Sequence, residues 1–218
     1  PTCIGYATSD CITGPYTYRG VIIDNYGCDP AVWNNHGSVV KFKDRWYVFY
    51  HRSSQGSNTM RQSCVEPIEI LPDGSIPEVE MTSTGAGVPL DPFLAIGSDP
   101  IAARACLLSG HVRIGSDNTL DGIRDGDTAA WRDFDFKDGV KRMVLSVCPK
   151  AGGSLAVYPE YLYGQQVARF SVPSGDGKTI ITLEAEVKKD LKGVRPLRMR
   201  SNGENDTDLF KIVSFRFE

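Results

Sequence analysis

A single histidine, His36, stands in a short polar segment directly before a strongly patterned region of the sequence. An imidazole in such a turn could ligate a metal ion, hold a water, or transfer a proton if an acid or base lay beside it. No partner for proton transfer is evident from the neighbouring residues. The simpler alternative is that His36, between Asn35 and Gly37, only hydrogen-bonds within its own turn.

The elements that would position His36 alternate between apolar and polar residues with the period of two that is typical of β-strands. Ile181, Leu183 and Ala185 share one face of the segment ITLEAEV, and aromatic residues alternate with a charged one in the terminal FRF. Turn signals such as Asp73-Gly74 and Asp138-Gly139 separate these runs. The sequence therefore predicts an all-β protein, although the segment PIAARACLL could form a short helix or an entry strand.

The alternation stops between Thr84 and Pro100, where glycine and proline concentrate. This change predicts a domain junction, with a first domain over residues 1–90, a linker over 91–100 and a second domain over 101–218. About six strands are expected in the first domain, too few for a closed β-propeller. The length and alternation of the second domain are typical of a β-sandwich.

Composition and charge exclude several classes of partner. A formal net charge of −3 and scattered basic residues give no electrostatic footprint for nucleic acid. No apolar run approaches the roughly 18 residues needed to cross a bilayer, so no membrane partner is expected. The six cysteines lie far apart and form no C-x-x-C pair, which leaves disulfides and buried thiols equally open.

Three ordered segments, IGYATSDCITGPYTYRGVIID, NNHGSVVKFKDRWYVFYHRSS and MRQSCVEPIEILPDGSIPEVEMTSTG, carry a family resemblance. Together they resemble the last blades of the five-bladed β-propeller of family 43 glycoside hydrolases, the β-xylosidases and α-arabinofuranosidases. The resemblance covers nearly all of residues 2–90. It implies a partial propeller that belongs to a hydrolase acting on xylosyl or arabinofuranosyl linkages of plant cell-wall polysaccharide.

The resemblance also implies that the catalytic carboxylates lie upstream of this chain. Inversion in the family uses an aspartate base, a glutamate acid and a second aspartate, all on earlier blades, so no catalytic residue is assigned here. An inverting glycosidase needs two carboxyl groups about 6.5 to 9.5 Å apart. The acids of the first domain are expected to be turn formers or solvated strand residues; they are Asp10, Asp24, Asp29, Asp44, Asp73, Glu66 and Glu69.

Two residues of the first domain match supporting positions of the family. His36 matches a histidine that faces the propeller channel beneath the sugar and ligates a metal, often calcium, or ordered water. Because calcium prefers oxygen ligands, one imidazole can be only part of such a site. Arg61 matches an arginine that faces the substrate pocket, although an exposed arginine at the start of a strand is the alternative. His51 and Arg52 are expected to be structural.

The second domain resembles a family 6 carbohydrate-binding module, a β-sandwich of the jelly-roll type. Such modules bind sugars with aromatic rings and a polar residue, and the resemblance makes Trp131 the leading substrate-binding candidate, with a core tryptophan as the alternative. Two departures weaken a loop-end site: Ser174–Thr179 carries no aromatic residue, and Lys211 stands near the usual asparagine. Three tyrosines could form a surface platform instead; they are Tyr158, Tyr161 and Tyr163.

We therefore expect the C-terminal portion of a family 43 glycoside hydrolase, a partial propeller followed by a β-sandwich, with xylan or arabinoxylan oligosaccharides and the remainder of the propeller as partners. Calcium, through His36, is the one cofactor considered, and a secreted or periplasmic location is expected. The rival interpretation is a non-catalytic carbohydrate-binding or structural accessory module. Neither xylose nor arabinose preference can be predicted from these residues.

Overall fold

The computed structural model describes residues 3–24, 35–53, 61–94 and 101–218, and these divide between two compact units, Pro1–Gly87 and Val88–Glu218. The described residues form strands and one turn of 3₁₀-helix. The prediction of an all-β chain, with a partial propeller before a β-sandwich, is confirmed. The predicted boundary after residue 90 falls inside the second unit, because Leu90 pairs with Phe134 of the sandwich.

The elements are numbered in chain order. The first unit contains β1 (Cys3–Thr8), β2 (Thr17–Asp24), β3 (Gly37–Phe42), β4 (Arg45–Ser53) and β5 (Arg61–Ile68). The second unit contains the 3₁₀-helix Ile101–Arg104, β6 (Leu107–Ser109), β7 (Arg113–Ile114), β8 (Leu120–Ile123), β9 (Thr128–Asp135), β10 (Arg142–Pro149), β11 (Gly153–Tyr158), β12 (Ala168–Val172), β13 (Ile181–Glu186), β14 (Val194–Asn202) and β15 (Phe210–Phe217).

The first unit contains an antiparallel pair, β1-β2, and a three-stranded antiparallel sheet in the order β3-β4-β5. Phe42 pairs with Arg45, so Lys43 and Asp44 form a two-residue hairpin turn in which Lys43 has a positive φ of 52°. One face of the sheet is buried around Val48 and Tyr50. The opposite face carries exposed apolar side chains, including Phe42 and Phe49.

The second unit consists of two five-stranded sheets, in the orders β13-β10-β15-β8-β7 and β12-β11-β14-β9-β6, and neighbouring strands in both sheets run antiparallel. Alternate residues of the strands point inward, as in β12, where exposed and buried positions strictly alternate. The core between the sheets is rich in aromatic rings. Phe136 and Phe217 pack edge to face with centroids 5.0 Å apart.

The chain segment just before the sandwich also packs on it. The Leu90 N–H donates to the carbonyl of Asp133 at 2.7 Å, and the Leu90 carbonyl accepts from the Asp135 N–H at 3.0 Å. The Phe217 N–H donates to the carbonyl of Pro92 at 2.7 Å. The first residues of the predicted linker are therefore part of the second unit, whereas residues 95–100 of that linker lie outside the described residues.

Candidate functional site

His36 lies immediately before β3, and the register of the β3–β4 hairpin places it opposite His51. Gly37 pairs with Tyr50, so the next position back along β3 meets the next position along β4. The His36 N–H donates to Nδ1 of His51 at 3.3 Å, and the two rings stack with centroids 5.5 Å apart and planes 23° apart. His36 is therefore held across the hairpin and does not simply bond within its own turn.

Gly37 is required at this point because two groups approach its Cα closely. A Cβ added to Gly37 would lie 2.2 Å from Cδ1 of Ile4 and 2.5 Å from the carbonyl oxygen of Phe49. The backbone oxygen cannot move away without breaking the hairpin pairing. The small residue after the histidine thus allows β1 and β4 to fix the backbone that presents His36.

Arg61 begins β5, is exposed, and pairs directly with Ser53 at the end of β4. His51 pairs with Ser63, so His51 and Arg61 are diagonal neighbours on one face of the sheet, about 7 Å apart at Cβ. The structure therefore brings His36, His51 and Arg61 to the same end of the three-stranded sheet. We call these three residues the histidine–arginine edge.

His51 is the member of this edge that the sequence-based interpretation assigned to structure alone. Its pairing could have been found from the turn, because a two-residue loop at Lys43-Asp44 fixes the whole hairpin register and sets His36 opposite His51. The prediction for Arg61 stays a prediction, since its exposure fits both a pocket residue and a strand start.

The donors around His36 do not by themselves make a calcium site. Within the described residues, no group of three or more histidine, cysteine, aspartate or glutamate side chains is arranged to hold a metal ion. The near neighbour of His36 is a second imidazole, whereas calcium takes six to eight oxygen ligands. Calcium at His36 would therefore need oxygen ligands other than a cluster of acidic side chains in the described ranges, and the cofactor assignment stays a prediction.

Glu66 differs from the expectation of a solvated strand acid. Its side chain is only 2% exposed, on the buried face of β5. Its carboxylate accepts hydrogen bonds from the Tyr50 hydroxyl at 3.2 Å, the Thr82 N–H at 2.9 Å and the Thr82 hydroxyl at 2.8 Å. Three hydrogen bonds satisfy this buried carboxylate. Glu66 therefore anchors the segment after β5 and has a structural role.

The prediction that Trp131 binds sugar is wrong. Trp131 lies on the inward face of β9, is 0% exposed and packs edge to face on Phe215 with centroids 5.0 Å apart. A ring without solvent-accessible surface cannot stack on a pyranose. The inward position follows from alternation along β9, in which Ala129 and Trp131 face the core and Ala130 faces the other side of the sheet.

Lys211, near the position where the resemblance implies an asparagine, is held by an acid. Its Nζ lies 2.6 Å from Oδ2 of Asp117, and Asp117 also accepts from the Thr119 hydroxyl at 2.6 Å. The hydrogen bond from Lys211, followed by that from Thr119, lowers the pKa of Asp117 to about 2. Lys211 is thus engaged in an ion pair, and its ammonium, unlike the amide of an asparagine, offers no acceptor to a sugar hydroxyl.

A second set of charges lies close to this pair. Lys150 Nζ approaches Asp121 Oδ1 at 3.4 Å and Asp208 Oδ2 at 3.3 Å, and Arg124 Nε lies 3.2 Å from Asp208 Oδ1. We name the whole group the charge cluster; its members are Asp117, Asp121, Arg124, Lys150, Asp208 and Lys211. Ionic pairing at this corner of the sandwich supports the expectation that the loop-end site is weakened.

The loop Ser174–Thr179, which lacks an aromatic residue, is organised around one carboxylate. Asp176 accepts from the N–H groups of Thr179 and Lys178, each at 2.8 Å, and from the Thr179 hydroxyl at 2.8 Å. These bonds, led by that from the Thr179 N–H, lower the pKa of Asp176 to about 2. Donors within the loop satisfy this carboxylate, and the Gly177 N–H donates to the carbonyl of Pro149 at 2.7 Å, which fixes the loop to the end of β10.

The three candidate tyrosines of the sandwich occupy different environments. Tyr158, at the end of β11, is buried, and its hydroxyl accepts from Nε2 of Gln166 at 3.3 Å. Tyr161 and Tyr163 lie on the following loop and are 71% and 95% exposed. Only the last two present their rings to solvent, so a tyrosine platform would consist of Tyr161 and Tyr163.

Comparison with known proteins relates the chain to xylosidases, arabinosidases and arabinoxylan arabinofuranohydrolases. No family model matches the sequence. A "Xylosidase/arabinosidase" from Thermoclostridium stercorarium is 34% identical over 179 residues, which is 65% of this chain and 37% of that protein. The crystal structure of a glycoside hydrolase family 43 arabinoxylan arabinofuranohydrolase from Bacillus subtilis, in complex with cellotetraose, matches 100% of this chain and 47% of its own with a TM-score of 0.58 and 27% identity.

The chain is homologous to family 43 glycoside hydrolases. It spans less than half the length of each of these two relatives. A family 6 carbohydrate-binding module from Clostridium cellulolyticum, solved with xylose, matches 59% of this family 43 homologue and 99% of its own chain, with a TM-score of 0.51 and 21% identity. That similarity shows the fold alone, and it agrees with the β-sandwich of residues 88–218.

Proposed function

We propose that this family 43 homologue is the C-terminal portion of a glycoside hydrolase acting on xylosyl or arabinofuranosyl linkages of plant cell-wall polysaccharide. The observation that carries the proposal is the match of the entire chain to 47% of an arabinoxylan arabinofuranohydrolase. If only the second unit matched, a shared accessory module would explain the similarity. The match instead includes both units of the chain. Xylan or arabinoxylan oligosaccharides and the remainder of the propeller are the proposed partners, at a secreted or periplasmic location.

The first unit supports this proposal because one face of its three-stranded sheet carries exposed apolar side chains. Val40, Phe42 and Phe49 share one face of the β3-β4-β5 sheet and are exposed, Phe42 by 63%. A propeller blade is a four-stranded sheet that buries both faces against its neighbours. This face is the surface that further blades would cover in a complete enzyme.

Within that enzyme, we propose supporting roles for the histidine–arginine edge. Arg61 would hold sugar hydroxyls or a carboxylate through its planar guanidinium. His36 would hold ordered water, or calcium if oxygen ligands from other blades complete the site. The described residues assign neither the base nor the acid of the reaction, which fits a catalytic pair located on upstream blades.

The test is hydrolysis of p-nitrophenyl xyloside and p-nitrophenyl arabinofuranoside by the 218-residue chain and by the chain extended with upstream blades. We expect no turnover above background by the chain alone and turnover by the extended protein. Enzyme-like turnover by the chain alone, at roughly 1 per second or more, would contradict the upstream location of the acids.

A second candidate function is a non-catalytic accessory module, which the exposed rings of Tyr161 and Tyr163 favour. Calorimetry of the chain with xylo-oligosaccharides distinguishes the two candidates. Binding that is lost in Tyr161→Ala and Tyr163→Ala, together with an inactive extended protein, would support the module. Activity of the extended protein without any binding by this chain would leave the sandwich as a structural brace.

A further inference from the structure

The sheet β12-β11-β14-β9-β6 turns a row of arginines outward. On β14 the side chains of Leu197, Met199 and Ser201 are buried, so Arg198 and Arg200 point to the opposite, outer face. Arg169 of β12 is exposed and lies on the same outer face, because it pairs with Ala156, which in turn pairs with Arg200. We call Arg169, Arg198 and Arg200 the arginine face.

Small side chains form the floor between these arginines. Ala156 lies directly between Arg169 and Arg200 and is 0% exposed, although it sits on the outer side of the sheet. Ala130 pairs with Arg198, and Thr128 pairs with Arg200. Because cross-strand neighbours have Cβ atoms about 5 Å apart, the stems of Arg169 and Arg200 cover Ala156, whereas Arg198 lies beside the buried ring of Tyr158.

These guanidinium groups have no acidic partner in the part of the chain that the structure describes. Arg169 donates to the Ser154 hydroxyl at 2.9 Å, and Arg198 donates from Nε to the carbonyl of Glu160. Nε of Arg200 is buried and has no hydrogen-bond partner among the described residues. The nearby carboxylate of Glu160 is paired instead with Arg195, at 3.6 Å.

In the other sheet of the sandwich, by contrast, cationic side chains are paired with acidic ones. Arg142 contacts both Glu184 and Glu218, and Lys211 contacts Asp117. The arginine face therefore keeps positive charge that is not neutralised locally, in a protein whose formal net charge is −3. Planar guanidinium groups with free donors match carboxylates in a two-pronged geometry that a lysine cannot reproduce.

The exposed tyrosine loop continues this surface. Residues 159–167 follow Tyr158 directly, and the bond from Arg198 to the carbonyl of Glu160 fastens the loop beside the arginine face. Tyr161 and Tyr163 are exposed on that loop, and a turn bond from the Gly164 N–H to the Tyr161 carbonyl, 2.9 Å long, orders it. Two exposed aromatic rings thus lie on the loop that adjoins the arginine face.

We propose that the arginine face binds the carboxylates of uronic acid groups on acidic xylan, while Tyr161 and Tyr163 contact the sugar chain. Successive outward residues of a strand are about 7 Å apart, so Arg198 and Arg200 span little more than one sugar unit. The inference rests on the proposed function for the identity of the polysaccharide and adds to it a preference for polysaccharide that carries carboxylates.

Calorimetry of the full 218-residue chain at low salt tests this inference. The ligands are a xylo-oligosaccharide that carries glucuronate and the same oligosaccharide after its carboxyl group has been reduced to an alcohol. We expect the acidic form to bind about tenfold more tightly or better, because two charge-assisted hydrogen bonds are lost on reduction. Added salt should narrow the difference.

The variant Arg169→Gln/Arg200→Gln should lose this preference for the acidic ligand. The matched control Lys141→Gln/Lys178→Gln also removes two positive charges, from exposed positions just before β10 and β13 of the other sheet, and should change the preference less than about twofold. Circular dichroism and thermal melting check folding. If the double arginine variant does not fold, Arg169→Gln alone applies the test, since Arg169 is exposed on an edge strand.

Equal binding of the acidic and reduced ligands would overturn the inference, and so would equal losses in the arginine and lysine variants. Its failure is distinguishable from failure of the proposed function. Suppose that the extended protein hydrolyses neutral arabinoxylan, whereas this chain binds the acidic and the reduced ligand equally well. That result would overturn only the proposed role of the arginine face and would leave the proposed function in place. Arginine-dependent binding of polygalacturonate without any binding of acidic xylan would overturn the choice of polysaccharide.

Discussion

At the scale of single residues, neighbours across the sheet decide what each candidate can do. Trp131 and Tyr163 are both aromatic, yet one is fully buried and the other is 95% exposed. Trp131 is buried because its position in β9 points toward the core. Tyr163 is exposed because it lies on a loop. The position of His36 is fixed by His51, whose Nδ1 accepts a hydrogen bond from the backbone N–H of His36.

Replacing Trp131 should therefore affect stability and not sugar contact. We expect Trp131→Ala to destabilise the second unit by about 3–5 kcal/mol, because a large ring is removed from the packed core. Urea unfolding followed by circular dichroism measures this change. Tyr163→Ala is the control and should alter the free energy of unfolding by less than about 0.5 kcal/mol. A stable Trp131→Ala chain that selectively loses sugar binding would restore Trp131 as a ligand residue.

The variant His36→Ala tests the supporting role in the extended enzyme. We expect lower activity with an unchanged melting temperature, because the exposed imidazole contributes little packing. The backbone bond from residue 36 to His51 remains in the variant, so the hairpin should persist. Full activity in this variant would leave His36 as an ordinary turn residue.

At the scale of elements, the charge cluster ties the β7–β8 turn to β15. Asp117 lies in that turn, and Lys211 lies on β15. The pKa of Asp117 is lowered from 3.8 to about 2. A carboxyl group with a lower pKa in the folded state stabilises the fold fully above its ordinary pKa, and this contribution is lost as the pH falls toward the folded value.

Melting temperatures at pH 6 and pH 2.5 test this linkage. We expect Lys211→Met to lower the melting temperature at pH 6. The decrease should be smaller at pH 2.5, where Asp117 begins to be protonated. The effect should be at most about 1 kcal/mol, because the Asp117 side chain is 53% exposed and solvent screens the pair. Lys178→Met is the control. Equal destabilisation by Lys211→Met at both pH values would argue against the ion pair.

At the scale of the whole molecule, the two units differ in how completely they bury their sheets. The sandwich encloses an aromatic core between two five-stranded sheets. The β3-β4-β5 sheet instead exposes Val40, Phe42 and Phe49 on one face, with β3 at its edge. No helix in the described ranges is long and apolar enough to cross a membrane.

An exposed apolar face of this kind should drive self-association. We expect sedimentation of the 218-residue chain to depend on protein concentration, and Val40→Thr/Phe42→Thr to weaken that dependence. Threonine is β-branched and therefore favours strands, so the sheet should be retained. The exposed pair Ile180→Thr/Val194→Thr on the second unit is the control. Concentration-independent sedimentation of the original chain would contradict this prediction.

The sequence by itself determined the all-β class, the two kinds of domain and the relation to family 43, because period-two alternation and ordered local segments are properties of neighbouring residues. It also determined the turns at Asp73-Gly74 and Asp138-Gly139. Tertiary structure alone decided that Trp131 is core, that Glu66 is a buried anchor, and that three arginines share one face. Those outcomes depend on strand phase and on which strands become neighbours, and these contacts join residues far apart in the chain.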